Sequence, residues 1–193
     1  VEWTASAGPY ACFSNSFEAE VSDDLGRVFA NGEQQLQHCK AGSFGDVARC
    51  ALIQGEPDAA RVRELGRLVA PFDGARWARY RSAFCDDVLW RKFRAYPRFA
   101  ATLLATGGRL LVGCSEDAVW GVGASDDECR AMSSAELERR REGGNLLGEA
   151  LMRVRARLRR AKAIAEHTAA LPWQCDPVNG GIDWELFADV LAC

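Results

Sequence analysis

The strongest constraint on this chain is helical punctuation that runs from Asn31 to Thr106 with no strand pattern between. Asn31 or Gly32 can cap a helix reaching about Ala41. Asp46–Gln54 reads as a second helix, and Pro57–Leu68 as a third with proline in its first turn. Asp73 to about Ala95 is the longest, because Trp77, Phe84 and Val88 recur at helical spacing beside Tyr80 and Leu89. Pro97 opens a short helix that ends near Thr106-Gly107-Gly108. Such a series of short helices must share one core, and 193 residues suffice for a single domain rather than two.

Strand signals lie on either side of this run. Phe13–Val21 alternates loosely, Ser22-Asp23-Asp24 breaks it, and Arg27–Ala30 can return as a hairpin partner. Leu110–Gly113 reads as a short buried strand, followed after a polar turn by Trp120-Gly121-Val122-Gly123. Residues 124–143 are polar and read as an inserted excursion. Leu147, Leu151, Val154 and Leu158 then mark one face of an amphipathic helix. The expected fold is α+β, a mainly helical single domain around a small β-sheet. Residues 1–160 form the domain, and 161–193 a C-terminal extension packed on it, with a last helix near Trp184–Leu191.

Charge and cysteine usage narrow the function classes. A net charge of −3 argues against a general nucleic-acid coating protein, but not against an enzyme that reads one modified nucleotide. The eight cysteines show no zinc-knuckle spacing, and His38 and His167 are the only histidines, so neither a metal nor a cofactor is expected. The cysteines read as small core residues in a reducing compartment. With no run of 18 apolar residues no membrane span is expected, and cysteines of a reducing compartment lead to the expectation of an intracellular protein, cytoplasmic or nuclear, and monomeric.

Several residues are suited to chemistry. Glu33, Gln37 and Lys40 stand at i, i+4 and i+7, on one polar stripe of the first helix, with Leu36 pointing elsewhere. In the first turn the helix dipole favours an ionised Glu33, and burial would make Lys40 a better nucleophile. Read alone, the stripe is more simply the solvated face of a surface helix. Asp117 precedes Trp120-Gly121 by three residues, setting an acid beside an aromatic wall; the plainer alternative is a turn with tryptophan plugging the core. Trp77 suits stacking on a base or ribose, or simply the core. Asn15, after Ser14, suits sugar hydroxyls, or merely a turn. The arginine run 153–160 with Lys162 reads as a solvated helix face.

Taken in order, these pieces resemble a known family. Phe13-Ser14-Asn15, Gly32-Glu33, Gln37 with Lys40, Leu65-Gly66-Arg67, Trp77, Lys92-Phe93, Leu104-Ala105-Thr106, Asp117 with Trp120-Gly121-x-Gly123, Asn145-Leu146-Leu147-Gly148, Leu151-Met152 and Arg155 follow the sequence expected of NADAR (YbiA-like) domains over roughly residues 8–160. The resemblance implies an N-glycosidase acting on a bond to ribose. Some family members act on phosphorylated riboflavin-biosynthesis intermediates; others remove ADP-ribose from guanine in nucleic acid. By likeness Glu33, Trp77 and Asp117 match the functional glutamate, tryptophan and aspartate, and Lys40 the helix lysine. Ser14, Asn15, Gln37, Arg67, Trp77, Trp120 and Gly121 are then expected to bind substrate.

The chain departs from the family in three places. Gln34-Gln35-Leu36 stand where His-Tyr-Phe is frequent, Asn15-Ser16 where Asn-Phe would follow the serine, and Gln37-His38-Cys39-Lys40 where Gln-Ala-Gln-Lys is usual. The carboxylate and amine survive these changes while the pocket around them is altered. The excursion at 124–143 resembles longer NADAR members more than compact YbiA, and that resemblance implies ADP-ribose, or ADP-ribosylated guanine in a nucleotide or DNA, as the expected substrate. The enzyme reading requires Glu33, Lys40, Trp77 and Asp117 to come together in one pocket; a non-catalytic module binding ADP-ribose or NAD is the competing class.

Overall fold

The computed structural model describes residues 2–4 and 8–170. Four acidic or amide side chains start the first four helices; the cap expected at Asn31 is found, whereas Pro57 lies outside the third helix rather than in its first turn, because Asp58 supplies the cap. Asn31 accepts from the Gln34 amide at 2.9 Å and opens α1 (Gly32–Ser43). Asp46 opens α2 (Val47–Gln54), Asp58 opens α3 (Ala59–Arg67) and Asp73 opens α4 (Gly74–Ala95). Each carboxylate satisfies a first-turn N–H that has no partner inside its helix. Pro97 takes the first position of α5 (Pro97–Ala105).

Strands frame this helical body as two pairs. β2 (Glu18–Ser22) and β3 (Val28–Asn31) form the expected antiparallel hairpin, with an irregular register between Glu18 and Val21. The segment before it is no strand: Ala11–Phe13 forms a 3-10 turn that buries Cys12 and Phe13. β1 (Glu2–Thr4) pairs in parallel with β4 (Val112–Cys114), joining chain segments more than a hundred residues apart. The architecture is α+β and mainly helical around small sheets.

The polar excursion is not structureless. It folds as α6 (Asp126–Ala131), closed by a capping box of Ser125 and Glu128, and α7 (Ser134–Arg141), capped by Ser133. One apolar side chain from each, Cys129 and Leu137, packs with Val112, Cys114 and Val122 beside β4.

Asn145 links this region to α8 (Leu146–Ala170). Its amide donates to Leu111 O at 2.9 Å and accepts from Gly113 N at 2.8 Å, while its own N–H donates to Gly121 O at 2.8 Å. It holds φ +70°, a left-handed conformation that asparagine tolerates better than most residues. One fully buried side chain thus fixes β4, the turn leading to Gly121 and the start of α8.

The chain divides into two compact units, Val1–Arg155 and Ala156–Cys193. Of the second, residues up to Ala170 are described, and they are helical. The helix expected near Trp184–Leu191 and the packing expected of the tail lie outside the described residues. Within the arginine run, Arg155 departs from the solvated face: it is buried and donates to the Thr106 hydroxyl at 2.6 Å. No described helix is long and apolar enough to cross a membrane.

Candidate active site

The first turn of α1 is pinned on two sides. Asn31 caps the Gln34 amide, and the Glu33 amide donates to Asn15 O at 2.8 Å, so the Ser14-Asn15 segment lies against the start of the helix. Glu33 is directed inward and is buried. One turn on, the Gln37 amide donates to Glu33 Oε1 at 2.9 Å. A further turn brings Lys40, whose Nζ donates to Gly66 O at 2.7 Å and lies 4.6 Å from the Phe72 ring centroid.

These side chains line a cleft of about 690 Å³ together with Ser14, Asn15, Ser16, Arg63, Arg67, Asp117 and Trp120. Of the expected residues, Ser14, Asn15, Glu33, Gln37, Lys40, Arg67, Asp117 and Trp120 are therefore brought together. Leu36 points away, into a cluster with Trp77 and Val88.

Two expected residues are placed elsewhere. Trp77 is buried in that cluster, stacked on Phe84 at 5.9 Å, and is not among the residues lining the cleft. It borders the site only through Lys40, whose Nζ lies 5.9 Å from its ring centroid. The requirement of one shared pocket is thus met by Glu33, Lys40 and Asp117 and failed by Trp77, so an enzyme reading has to stand on the two acids and the amine without that tryptophan. Gly121 is also absent from the lining; it is buried where a Cβ would press on Gly113 O and Ser115. Its N–H closes the turn on Asp117 O at 2.8 Å.

Burial is the largest influence on the Glu33 carboxyl. Desolvation raises its pKa above the ordinary carboxyl value, and the nearby Asp117 charge acts in the same direction. The Gln37 hydrogen bond and the charges of Arg63 and Lys40 oppose that rise without cancelling it. The helix dipole acts in the same direction as those opposing charges, and a first-turn position says nothing about how deeply the side chain is buried. Lys40 moves the other way: burial lowers its pKa and Arg67 lowers it further, against the pull of Glu33.

Asp117 stands at the exposed rim. Its Oδ1 accepts from Val119 N at 2.8 Å and Trp120 N at 3.1 Å, which orients the carboxylate and leads the chain into the Trp120 wall. Arg63, one turn before Arg67 on α3, donates to Ser16 Oγ at 2.7 Å and completes the rim. Among the described residues, neither arginine nor Lys40 forms an ion pair. Sequence reasoning passed over Arg63, although its i, i+4 spacing with Arg67 was a usable signal.

Two buried acceptors beside this cleft, Asn15 Oδ1 and Gln37 Oε1, have no hydrogen-bond donor. Groups of this kind ordinarily find a partner; here Gln37 Oε1 is packed against Gly66 and Asn15 Oδ1 against Gly32, so neither atom opens onto the cleft. No group of three or more His, Cys, Asp or Glu is placed to hold a metal ion among the described residues.

A helical α+β scaffold that sets a buried carboxyl, an amide and an amine in one arginine-rimmed cleft has the make-up of a ligand-binding or catalytic site. The chain belongs to the NADAR domain family, whose model matches residues 3–159. It is 26% identical over 144 residues to N-glycosidase R617 of Acanthamoeba polyphaga mimivirus, covering 74% of this chain and 82% of that protein. Its fold is similar to the NMR structure of the E. coli protein YbiA, with a TM-score of 0.64, 21% identity, and coverage of 91% of this chain and 90% of the other.

Proposed function

We propose that this protein is an N-glycosidase that hydrolyses a ribosyl C–N bond, removing ADP-ribose from ADP-ribosylated guanine in nucleic acid. The observation that carries the reading is a buried Glu33 of raised pKa, held by Gln37 and by the Asn15 backbone, in a cleft that also presents Lys40, Arg63, Arg67 and Asp117. The relative named N-glycosidase supports the reaction type.

Breaking the bond leaves its electron pair on the departing nitrogen and positive charge on the sugar. A carboxyl that keeps its proton to higher pH is suited to protonating that nitrogen, which makes Glu33 the general acid. Once ionised, the same carboxylate stabilises the oxocarbenium-like sugar. Asp117, at the rim, orients the water that adds to the anomeric carbon and takes the proton this water loses. Asn15 and Gln37 line the part of the cleft that takes the ribose, and Trp120 walls the nucleobase. Arg63 and Arg67 meet the diphosphate. Nothing in this scheme calls for a metal.

Two acids at the sugar favour an enzyme over a module that only binds ADP-ribose or NAD. The direct test incubates the protein with an oligonucleotide ADP-ribosylated on guanine and follows released ADP-ribose by anion-exchange chromatography, with a phosphorylated ribosylamine of riboflavin biosynthesis in a parallel arm. Release of ADP-ribose is expected. Turnover of the ribosylamine alone would replace the substrate, and turnover of neither would remove the enzyme reading.

A further inference from the structure

We propose that Lys92 is a positioning residue: from behind the cleft its Nζ holds the Ser14 carbonyl, and so sets the Ser14-Asn15 backbone on which the Glu33 amide docks. The inference rests on the reading of Glu33 as the acting carboxyl. Lys92 lies on α4 and is fully buried, with its neighbour Phe93 also fully buried. Its Nζ donates to Ser14 O at 2.6 Å and lies 5.4 Å from the Phe17 ring centroid. It is not among the residues lining the cleft, so it acts on a substrate only through others.

Stability alone does not account for an ammonium here. Among the described residues it has no carboxylate partner. A buried, unpaired lysine is rare, since burial strips its hydration. Leucine or methionine would fill similar volume without that penalty. What the amine does make is one short bond to a peptide segment with unusual responsibilities. Ser14, Asn15 and Ser16 all line the cleft. Asn15 O receives the Glu33 N–H at 2.8 Å, and Asn15 Oδ1 is one of the two buried acceptors left without a donor. Displacing Ser14 O therefore moves a segment of the cleft wall and the anchor of the carboxyl together.

Burial pushes the Lys92 pKa down to about 7; the Cys12 thiol, in the 3-10 turn packed against it, is the one titratable group whose charge opposes this. The hold on Ser14 O accordingly weakens as pH rises through neutrality and the amine loses its charge.

The test is Lys92→Met, which keeps the stem and removes the donor, checked for folding by its amide NMR spectrum. Three results are expected. The kcat for ADP-ribose release falls roughly ten- to hundred-fold, the scale of a misplaced reacting group, with KM little changed. The Glu33 carboxyl titrates at a shifted midpoint by carbon-detected NMR. In the unsubstituted protein, the Asn15 and Glu33 amides show an inflection at the midpoint measured on the Lys92 side chain. A folded Lys92→Met with unaltered kcat and an unaltered Glu33 titration overturns the proposal. If that variant does not fold, absence of the Lys92 inflection from the Asn15 and Glu33 amides overturns it instead. Should the unsubstituted protein release no ADP-ribose while the inflection is present, the substrate reading fails and the positioning role stands.

Discussion

Gln37 donates to Glu33 Oε1 at 2.9 Å, one helical turn away, while its own Oε1 has no donor. The bond favours the ionised carboxylate and works against the burial that raises the Glu33 pKa. Gln37→Ala removes that restraint, so the Glu33 midpoint should rise further. Activity that requires a protonated Glu33 falls as pH rises through its pKa, and the alkaline limb of the kcat profile should move to higher pH in the variant. A limb that stays put, or moves to lower pH, would assign the profile to another group.

Glu33 itself is expected to exchange stability for function. Its folded-state pKa lies above the ordinary value of 4.5. The stability it contributes is complete below that value and is lost as pH rises through the folded pKa, because the unfolded chain ionises first. Glu33→Gln should therefore melt at or above the unsubstituted protein at pH 7, and the advantage should vanish below pH 4.5. The same change should slow ADP-ribose release by roughly 10²- to 10⁴-fold, the usual worth of a positioned acid. A folded Glu33→Gln protein with near-native activity would strip Glu33 of its role.

Arg63 and Arg67 are one turn apart on α3, and both line the cleft with no ion pair of their own among the described residues. Each is exposed, so its contribution is that of a partly screened contact. Arg63→Ala and Arg67→Ala should each raise KM about five- to twenty-fold with little change in kcat. Added salt should weaken binding to the unsubstituted protein more than to either variant, because screening acts on the charge the variants lack. Equal salt dependence in all three would place the substrate phosphates elsewhere.

Much of this was legible because helix starts announce themselves locally. Asn31 caps as its side chain predicts and helices start at Asp46 and Asp73 as read, since a cap depends on residues only two or three positions away; at the third helix proline drew the start one residue too early, onto Pro57 instead of the Asp58 cap. The stripe of Glu33, Gln37 and Lys40 was legible for the same reason. What lay opposite it was not. Trp77 has the spacing of a face, but spacing does not say whether that face meets a cleft or Leu36 and Val88. The parallel pairing of β1 with β4 leaves no local trace at all. Nor does the charge state of Glu33, which depends on how deeply the fold buries it and on Arg63 and Asp117 from remote segments.

Asn145 carries more of the scaffold than its position in the sequence suggests. Asn145→Ala leaves Leu111 O and Gly113 N without their partner and puts alanine at φ +70°. At ~1–3 kcal/mol for each of the two buried groups left unsatisfied, a loss of about 2–6 kcal/mol is expected in denaturant unfolding. Asn145→Gly relieves the backbone but restores neither bond, so it should remain destabilised by more than half as much. If glycine recovers full stability, the conformation rather than the two hydrogen bonds is what Asn145 supplies.

Lys40 offers the sharpest division between two mechanisms. Burial and Arg67 lower its pKa, so a larger share is neutral amine at a given pH than for an exposed lysine. If that amine attacks the anomeric carbon, guanine leaves with the bonding electron pair and the proton from Glu33. The ring then opens to an imine between Lys40 and ADP-ribose, which water hydrolyses to regenerate both. Borohydride added during turnover reduces the imine and should fix one ADP-ribose mass on the peptide containing Lys40. Lys40→Met should abolish both the adduct and turnover. Turnover at an undiminished rate with no adduct would leave Lys40 its bond to Gly66 O and a contact with substrate phosphate, and water as the nucleophile.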